Sequence, residues 1–371
     1  WVQKENTRPV PYLKELDKQP QKISVISKGK RGDLTIEVTD AGGISKGDVL
    51  RIDWHNKKGK KGGIVNAIYG NTDQIIGSHH FDFPNRPLVM QPTQVKSVKG
   101  NKIEISDPLL HDINSNIPAH FSSWEHLKEV GIEGLSIHFP TGDTYGHHIE
   151  QGFNGIYLTS VFNGWIRDVS FNNADSALLT ENSGNVTISN IRSYGTRFGH
   201  YGIHLGSVHN FLVEDAKILN PTVHTFSMNT KSTKSVFLRG VGFTQPTLDQ
   251  HAGANHQNLY DNMTFHIEAK PSEDGPHYDL WFGGGAGYWQ PGHGRYNTTW
   301  NSKIFVESGA DSDETVRILG QTEGPDARVI GMYGNRKFEV EHNPSPYISD
   351  INSKMAIPSL YEYQKQQRLN K

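Results

Sequence analysis

The chain has 371 residues and no cysteine, which excludes disulfide stapling and any chemistry that needs a thiolate. It has no run of about 18 apolar residues, so no segment reads as a membrane-spanning helix. It also lacks an excess of either charge: 37 Lys and Arg stand against 39 Asp and Glu, a net −2. That balance favours neither nucleic acid nor a charged membrane surface as partner. A signal-like segment is missing and the first residue is Trp1. The expectation is a secreted or cell-surface protein, extracellular or periplasmic, whose targeting peptide has been trimmed.

What is present is a repeat. One short phrase recurs as Ile132-Glu-Gly-Leu-Ser-Ile137, Ile166-Arg-Asp-Val-Ser-Phe171, Ile188-Ser-Asn-Ile-Arg-Ser193, Val213-Glu-Asp-Ala-Lys-Ile218, Leu238-Arg-Gly-Val-Gly-Phe243 and Tyr260-Asp-Asn-Met-Thr-Phe265. The start-to-start spacings are 34, 22, 25, 25 and 22 residues. Units of this size cannot bury an apolar face alone and must stack on one another. They are too short for two helices, and their apolar residues alternate or flank a tight turn. The expected object is all-β: a parallel β-solenoid with one coil per phrase and Gly, Asp or Asn at a bend. Ile132, Ile166, Ile188, Val213 and Leu238 are expected to form one inward row.

Residues 1–125 read as an N-terminal β-rich cap and 126–371 as the β-helix, forming one continuous unit. In the cap, Tyr12–Leu16 reads as one or two helical turns. Strands are expected around Lys22–Val25, Leu34–Val38 and Val49–Trp54, then a hairpin from Gln94–Val98 through Gly100 to Lys102–Ile105. Ile357–Leu369 reads as a helix capped by Ser359 that closes the last coil. A cap is needed because a first coil otherwise presents a naked apolar end and an unpaired edge.

A second strand is visible in each coil, at 155–159, 176–180, 202–206, 225–229, 249–253 and 279–283. Alternate side chains of a strand share a face. With Ile203 and Leu205 inward, the outward set is His204 with Tyr157, Leu178, Thr180, Ser227, Asn229, Asp249, His251, Asp279 and Trp281, and Gln250 turns inward. Two His, two Asp, an Asn, a Tyr and a Trp interleaved with Gly suit a linear polysaccharide lying in a groove. The competing reading is a set of side-chain ladders on a solvated face.

Further clusters carry the same pair of readings. Asp249–His256 can hold a sugar or a metal, or can satisfy its own hydrogen bonds as a polar corner. Trp281–Trp289 brings aromatic residues together for sugar stacking and lacks the ending of a phosphate loop. Arg295 offers a cation to an acidic group, or packs on the solenoid. Arg197, His200 and Tyr201 sit in a longer corner just before His204 and would rim the groove. His147 and His148 have no partner at metal-ligand spacing and read as a loop, with zinc binding as the alternative.

The coil rhythm, Lys46-Gly-Asp-Val-Leu-Arg-Ile52 with Thr93-Gln-Val-Lys-Ser-Val98, and Pro358-Ser-Leu-Tyr-Glu-Tyr-Gln364 resemble the carbohydrate-active enzymes of the pectate-lyase-like superfamily. The likeness covers nearly the whole chain and is greatest to secreted forms from marine and gut Bacteroidetes. It implies a right-handed parallel β-helix and degradation of a polysaccharide, by a lyase or a glycoside hydrolase.

In a lyase a base removes the C5 proton of a uronic acid while an acid assists the leaving oxygen and a cation neutralises the carboxylate. His204, His251, Tyr201, Lys231 and Arg197 provide that set. In a hydrolase acting on a sulfated fucan or galactan, two carboxylates flank the bond. Asp249 and Asp279 are the natural pair, with Glu181 or Asp175 as substitutes. The same two aspartates are the candidate calcium ligands, although no cofactor is required by the sequence. Substrate-binding candidates are Trp281, Tyr157, Arg197, Asn229, Lys231, Glu181, His256 and Arg295. The expected partner is an acidic or sulfated linear polysaccharide, and the expected state a monomer. A non-catalytic carbohydrate-binding solenoid is the third reading. The excess of His and Tyr over paired carboxylates favours the lyase.

Overall fold

The computed structural model describes residues 20–370 apart from 58, 71–74, 81–85, 143–144, 283, 285–286, 322–323 and 345. The helical reading of Tyr12–Leu16 lies outside the described residues. The chain first forms a closed antiparallel barrel from β1 (Lys22–Lys28), β2 (Thr35–Val38), β3 (Val49–Trp54), β4 (Val89–Lys99), β5 (Lys102–Ile105) and β6 (Ala119–Ser122), in the order β1-β2-β5-β4-β3-β6. The expected strands and the hairpin at Gly100 are all present. Ile52, Trp54, Val89, Ile103 and Phe121 fill the barrel core. On β3 the alternate residues Arg51 and Asp53 are buried too. They pair through two hydrogen bonds of 2.6 and 3.0 Å, and Arg51 reaches Asn182 of the solenoid at 3.1 Å.

From Leu127 onward the chain winds into a right-handed parallel β-helix whose coils contribute to a 13-stranded and an 8-stranded sheet. The repeated phrase is its metre. Ile132, Ile166, Ile188 and Val213 stand in register. The third residue of the phrase takes a left-handed backbone at Gly134, Asp168, Asn190, Asp215 and Asn262. Gly, Asn and Asp tolerate that conformation at least cost.

The fifth coil starts one residue earlier than the repeated phrase suggests. Val213 pairs with Phe237, Leu238 pairs with Glu214, and the left-handed residue is Arg239. Phe237 joins the central core and Leu238 does not. Gly240 drew the alignment because a glycine resembles a bend, yet here the bend carries an arginine. Arg239 is held there by Asp215, Glu214 and Glu362 at 2.8, 3.0 and 2.5 Å.

The terminal helix Leu360–Leu369 is capped by Ser359, which accepts from the Glu362 amide. It does not close the last coil, as the sequence suggested. Asp261 accepts from Ser359 Oγ and from the amides of Leu360 and Tyr361, and Asn301 donates to the Pro358 carbonyl. These contacts dock the helix on the flank of the middle coils.

Barrel and solenoid meet through histidines. His111 and His256 face each other at 2.7 Å between their Nε2 atoms, and both are buried. The His256 Nδ1–H donates to the Ala254 carbonyl. Burial pulls His256 down to about 4, and burial with the neighbouring His256 holds His111 well below the usual imidazole range. A histidine neutral in the fold but near 6.5 when unfolded stabilises the fold fully above pH 6.5 and loses that stability as pH falls toward 4. For His256 this amounts to roughly 3 kcal/mol. The urea midpoint is therefore expected to drop between pH 7 and pH 5, and His256→Gln should make the drop smaller. A stability that stays level over that range would refute the neutral pair.

Candidate functional site

The eight-stranded sheet carries the site, and a break in its alternation creates it. Its first strands are Asn154–Thr159, Ser176–Glu181, Gly199–Gly206, Thr222–Asn229 and Leu248–His251. Ile156, Leu178, Ile203 and Phe226 form one inward row. The residues just before them also face inward: a side chain at Gly202 would strike Ile218, one at Gly155 would strike Phe171, and Ala177 lies in the core. Two consecutive inward residues leave two outward rows three positions apart. One row is Asn154, Ser176, Tyr201 and His224; the other is Tyr157, Leu179, His204, Ser227 and Asp249. A third holds Thr159, Glu181, Gly206, Asn229 and His251.

Asp249 is the centre. It is fully buried, its Oδ1 lies 3.3 Å from Nδ1 of both His224 and His251, and Ser227 donates to Oδ2 at 2.5 Å. Burial alone would raise its carboxyl, but the two imidazoles outweigh that and hold it well below the usual carboxylate range. An ionised carboxylate only accepts, so His251 presents its Nδ1–H to it and keeps Nε2 available. Burial opposes charge on His251, yet the bond to Asp249 prevails and raises it. Gly284 is required beside this ring, since a side chain there would overlap it.

Tyr201 and His204 complete the group. Their rings lie 4.8 Å apart, and Tyr201 lies 4.8 Å from His224. Burial and the Asp249 charge push the Tyr201 hydroxyl up, and the Asn229 amide reaches it at 3.4 Å. Burial brings His204 down to about 4.

A loop within the first coil, between Gly131–His138 and Asn154–Thr159, folds over this sheet with His147, His148 and Glu150. His147 Nε2 lies 3.2 Å from His200 Nε2, and Glu150 lies 2.9 Å from His200 Nδ1. The ring of His147 is 5.7 Å from that of His224. Burial, with His224 and His147 nearby, pushes His200 down to about 2. Arg197 fastens the loop, donating to Pro140 and Gln151, pairing with Asp175 at 3.4 Å and covering the Phe153 ring. The Phe153 amide donates to the other oxygen of Asp175.

The structure thus brings together Tyr201, His204, Asn229, Asp249 and His251. Tyr157 and Glu181 are bonded to each other at 2.9 Å on the adjoining coils. Other expectations are corrected. Trp281 is a core residue in register with Leu248, its indole N–H donating to Thr299, so it offers no stacking platform. Leu178 and Thr180 are buried and point inward, with Leu179 in the outward row instead. Asp279 pairs with Lys270 and stands three positions from Phe282, the strand partner of Asp249, about 10 Å along the strand. The two aspartates thus stand apart along the strand, and Asp249 is already engaged by His224, His251 and Ser227. Arg197 is buried and committed to the loop, so it is not a rim cation. Lys231 donates to the Pro87 carbonyl. His256 belongs to the barrel interface, and Arg295 binds Asp326 and covers the Tyr296 ring.

Sequence reasoning missed His224 because the strand was begun one residue later, at Thr225. The spacing of 24 from His200, close to one coil, was the available signal.

No family model matches the chain, and no curated protein matches it. Among solved structures it is similar to the tailspike gp49 of Pseudomonas phage LKA1, with 11% identity, a TM-score of 0.41, and coverage of 89% of this chain and 60% of that one. It is also similar to the gp54 tailspike of Acinetobacter baumannii bacteriophage AP22 in complex with capsular saccharide (11%, TM-score 0.36, covering 89% and 57%). A third is the catalytic domain of a GH87 α-1,3-glucanase in complex with nigerose (12%, TM-score 0.25, covering 89% and 94%). The chain spans less than two thirds of the tailspikes' length. The likeness concerns the coil architecture alone.

The buried Arg197–Asp175 pair makes a direct prediction. Arg197→Met should destabilise the protein by about 3–5 kcal/mol, because it leaves a buried carboxylate without its cation. Adding Asp175→Leu should recover part of that loss in urea denaturation. A single variant as stable as the parent would show that the pair does not anchor the loop.

Proposed function

We propose that the protein is a secreted or cell-surface enzyme that cleaves an acidic, uronate-containing polysaccharide by β-elimination. The observation that carries this reading is the Asp249 carboxylate, held 3.3 Å from Nδ1 of both His224 and His251. A carboxylate that fixes the Nδ1–H tautomer leaves Nε2 as the basic atom. His251 is the general base, being the more accessible of the two, with a side chain 20% exposed against 1% for His224.

His251 Nε2 takes the C5 proton, the electron pair forms the C4–C5 double bond, and the bond from C4 to the glycosidic oxygen breaks. Tyr201 gives its proton to that oxygen; a hydroxyl pushed up by burial and by Asp249 keeps its proton at neutral pH. The uronate carboxylate must be neutralised as charge builds on C5. Hydrolysis needs a second carboxylate across the bond, and Asp279 is not placed to provide it.

Digestion of alginate, pectin, chondroitin sulfate, fucoidan and carrageenan, followed by both ultraviolet absorbance and reducing ends, tests the reading. Elimination yields an absorbing unsaturated uronate with each new reducing end. Reducing ends without absorbance would mean hydrolysis, and neither signal would mean binding without cleavage. His251→Ala should lower kcat by about 10²–10⁴-fold with an unchanged melting temperature. The base must be neutral to act and its pKa is raised, so the acid limb of the rate profile should lie above pH 6.5. Asp249→Asn removes the raising partner and should move that limb to lower pH. A limb that stays in place would exclude His251 as the base.

A further inference from the structure

The loop histidines are not absorbed by the elimination chemistry. His147, His148 and His200 each offer a ring nitrogen, and these three atoms lie within 4.8 Å of one another. We infer that they form a transition-metal site of the zinc class, with His147, His148 and His200 as ligands and the fourth position open beside His224.

Four features of the geometry support this. First, Nε2 of His147 and Nε2 of His200 are 3.2 Å apart. Two nitrogens bound at 2.0–2.1 Å to a tetrahedral metal are separated by roughly 3.3 Å. Second, Glu150 lies 2.9 Å from Nδ1 of His200. A carboxylate that accepts this N–H leaves the Nε2 lone pair directed at His147, the arrangement by which outer carboxylates orient metal-binding imidazoles. Third, His148 takes a left-handed backbone with φ 72°, uncommon for a residue other than glycine. Consecutive side chains normally diverge, but here the rings of His147 and His148 stack at 3.8 Å, and that of His148 lies 5.2 Å from His200. Fourth, the ring of His200 lies 5.4 Å from that of His224, so the trio adjoins the Asp249 group.

The donor set selects the ion. Three imidazoles suit zinc, copper, nickel or cobalt, whereas calcium and magnesium require oxygen ligands. Three protein ligands with one open position are the pattern of a metal that binds substrate or water. The other sets are committed. Asp53, near His55 and His120, already accepts two bonds from Arg51 and one from Ser122. Asp249 already holds His224, His251 and Ser227. Bound at the trio, a metal would supply a Lewis acid beside the imidazole pair. That use rests on the function proposed above, whereas the site itself does not.

The test is metal binding, measured without any polysaccharide. The whole chain, stripped with a chelator, is titrated with Zn²⁺ by calorimetry and with Co²⁺ by visible spectroscopy, with Ca²⁺ as the control. One equivalent of Zn²⁺ is expected, together with the intense visible bands of four-coordinate Co²⁺ and no heat from Ca²⁺. His147→Ala and His148→Ala, both at exposed positions of the loop, should each weaken Zn²⁺ binding at least about tenfold while retaining the parent melting temperature in the absence of metal. Glu150→Gln, a positioning change, should weaken it by about 10–100-fold. Absence of Zn²⁺ binding would overturn the assignment. So would parental affinity in both alanine variants, which would place the metal elsewhere, or an equal response to Ca²⁺. Loss of polysaccharide cleavage in His251→Ala with Zn²⁺ binding retained would separate the two sites.

Discussion

Every feature of this molecule depends on the registered stacking of parallel strands, in which each residue sits about 4.8 Å from its counterpart in the next coil. That spacing makes a local choice a collective one. A left-handed residue recurs at Asp168, Asn190, Asp215, Arg239 and Asn262, and these positions align from coil to coil. Asn190 donates to Asp168 and Arg239 to Asp215, so the column that turns the chain also bonds neighbouring coils. The same registration gathers the site: Tyr201, His224, Asp249 and His251 are distant in the chain but lie on three adjacent coils.

Much of the architecture was legible because it repeats. Six copies of a phrase average out the ambiguity of any one, and their period excludes two helices per unit. The one copy placed wrongly, at Leu238, failed where an arginine occupies a position that favours Gly, Asn or Asp. Tertiary charge supplied what the residue's own preference did not, through three acidic partners around Arg239. The closed barrel was less legible: its strands were visible one by one, but closure depends on which edges meet.

The site was legible in part, for a different reason. Strict alternation correctly turned His204, Asp249 and His251 outward, since Ile203, Leu205 and Leu248 are core residues. It failed at Leu178 and at Trp281. A shared break in alternation at Gly155, Ala177, Gly202 and Thr225 shifts the face on one side of it only. No single sequence marks such a break, because glycine, alanine and threonine are all acceptable there. The break also makes the site chemically dense, since it sets two outward rows three residues apart and lets Tyr201 meet His204, and His224 meet Asp249.

The loop over the sheet was present in the numbers from the start. The first two phrases are 34 residues apart, whereas the others are 22 or 25 apart, and the excess holds His147, His148 and Glu150. A solenoid accepts such an insertion at a coil corner without disturbing the stack, so its content is free to serve something other than the fold. What it adds is neutral imidazole beside an ionised carboxylate. A buried Asp249 is costly, by several kcal/mol, unless it is matched by donors; His224, His251 and Ser227 match it. Once matched, it polarises both imidazoles and leaves His200 and His204 as the neutral members of the group. Charge separation is thus built into the sheet before any ligand arrives: one face of the group can take a proton, and the loop can hold a cation.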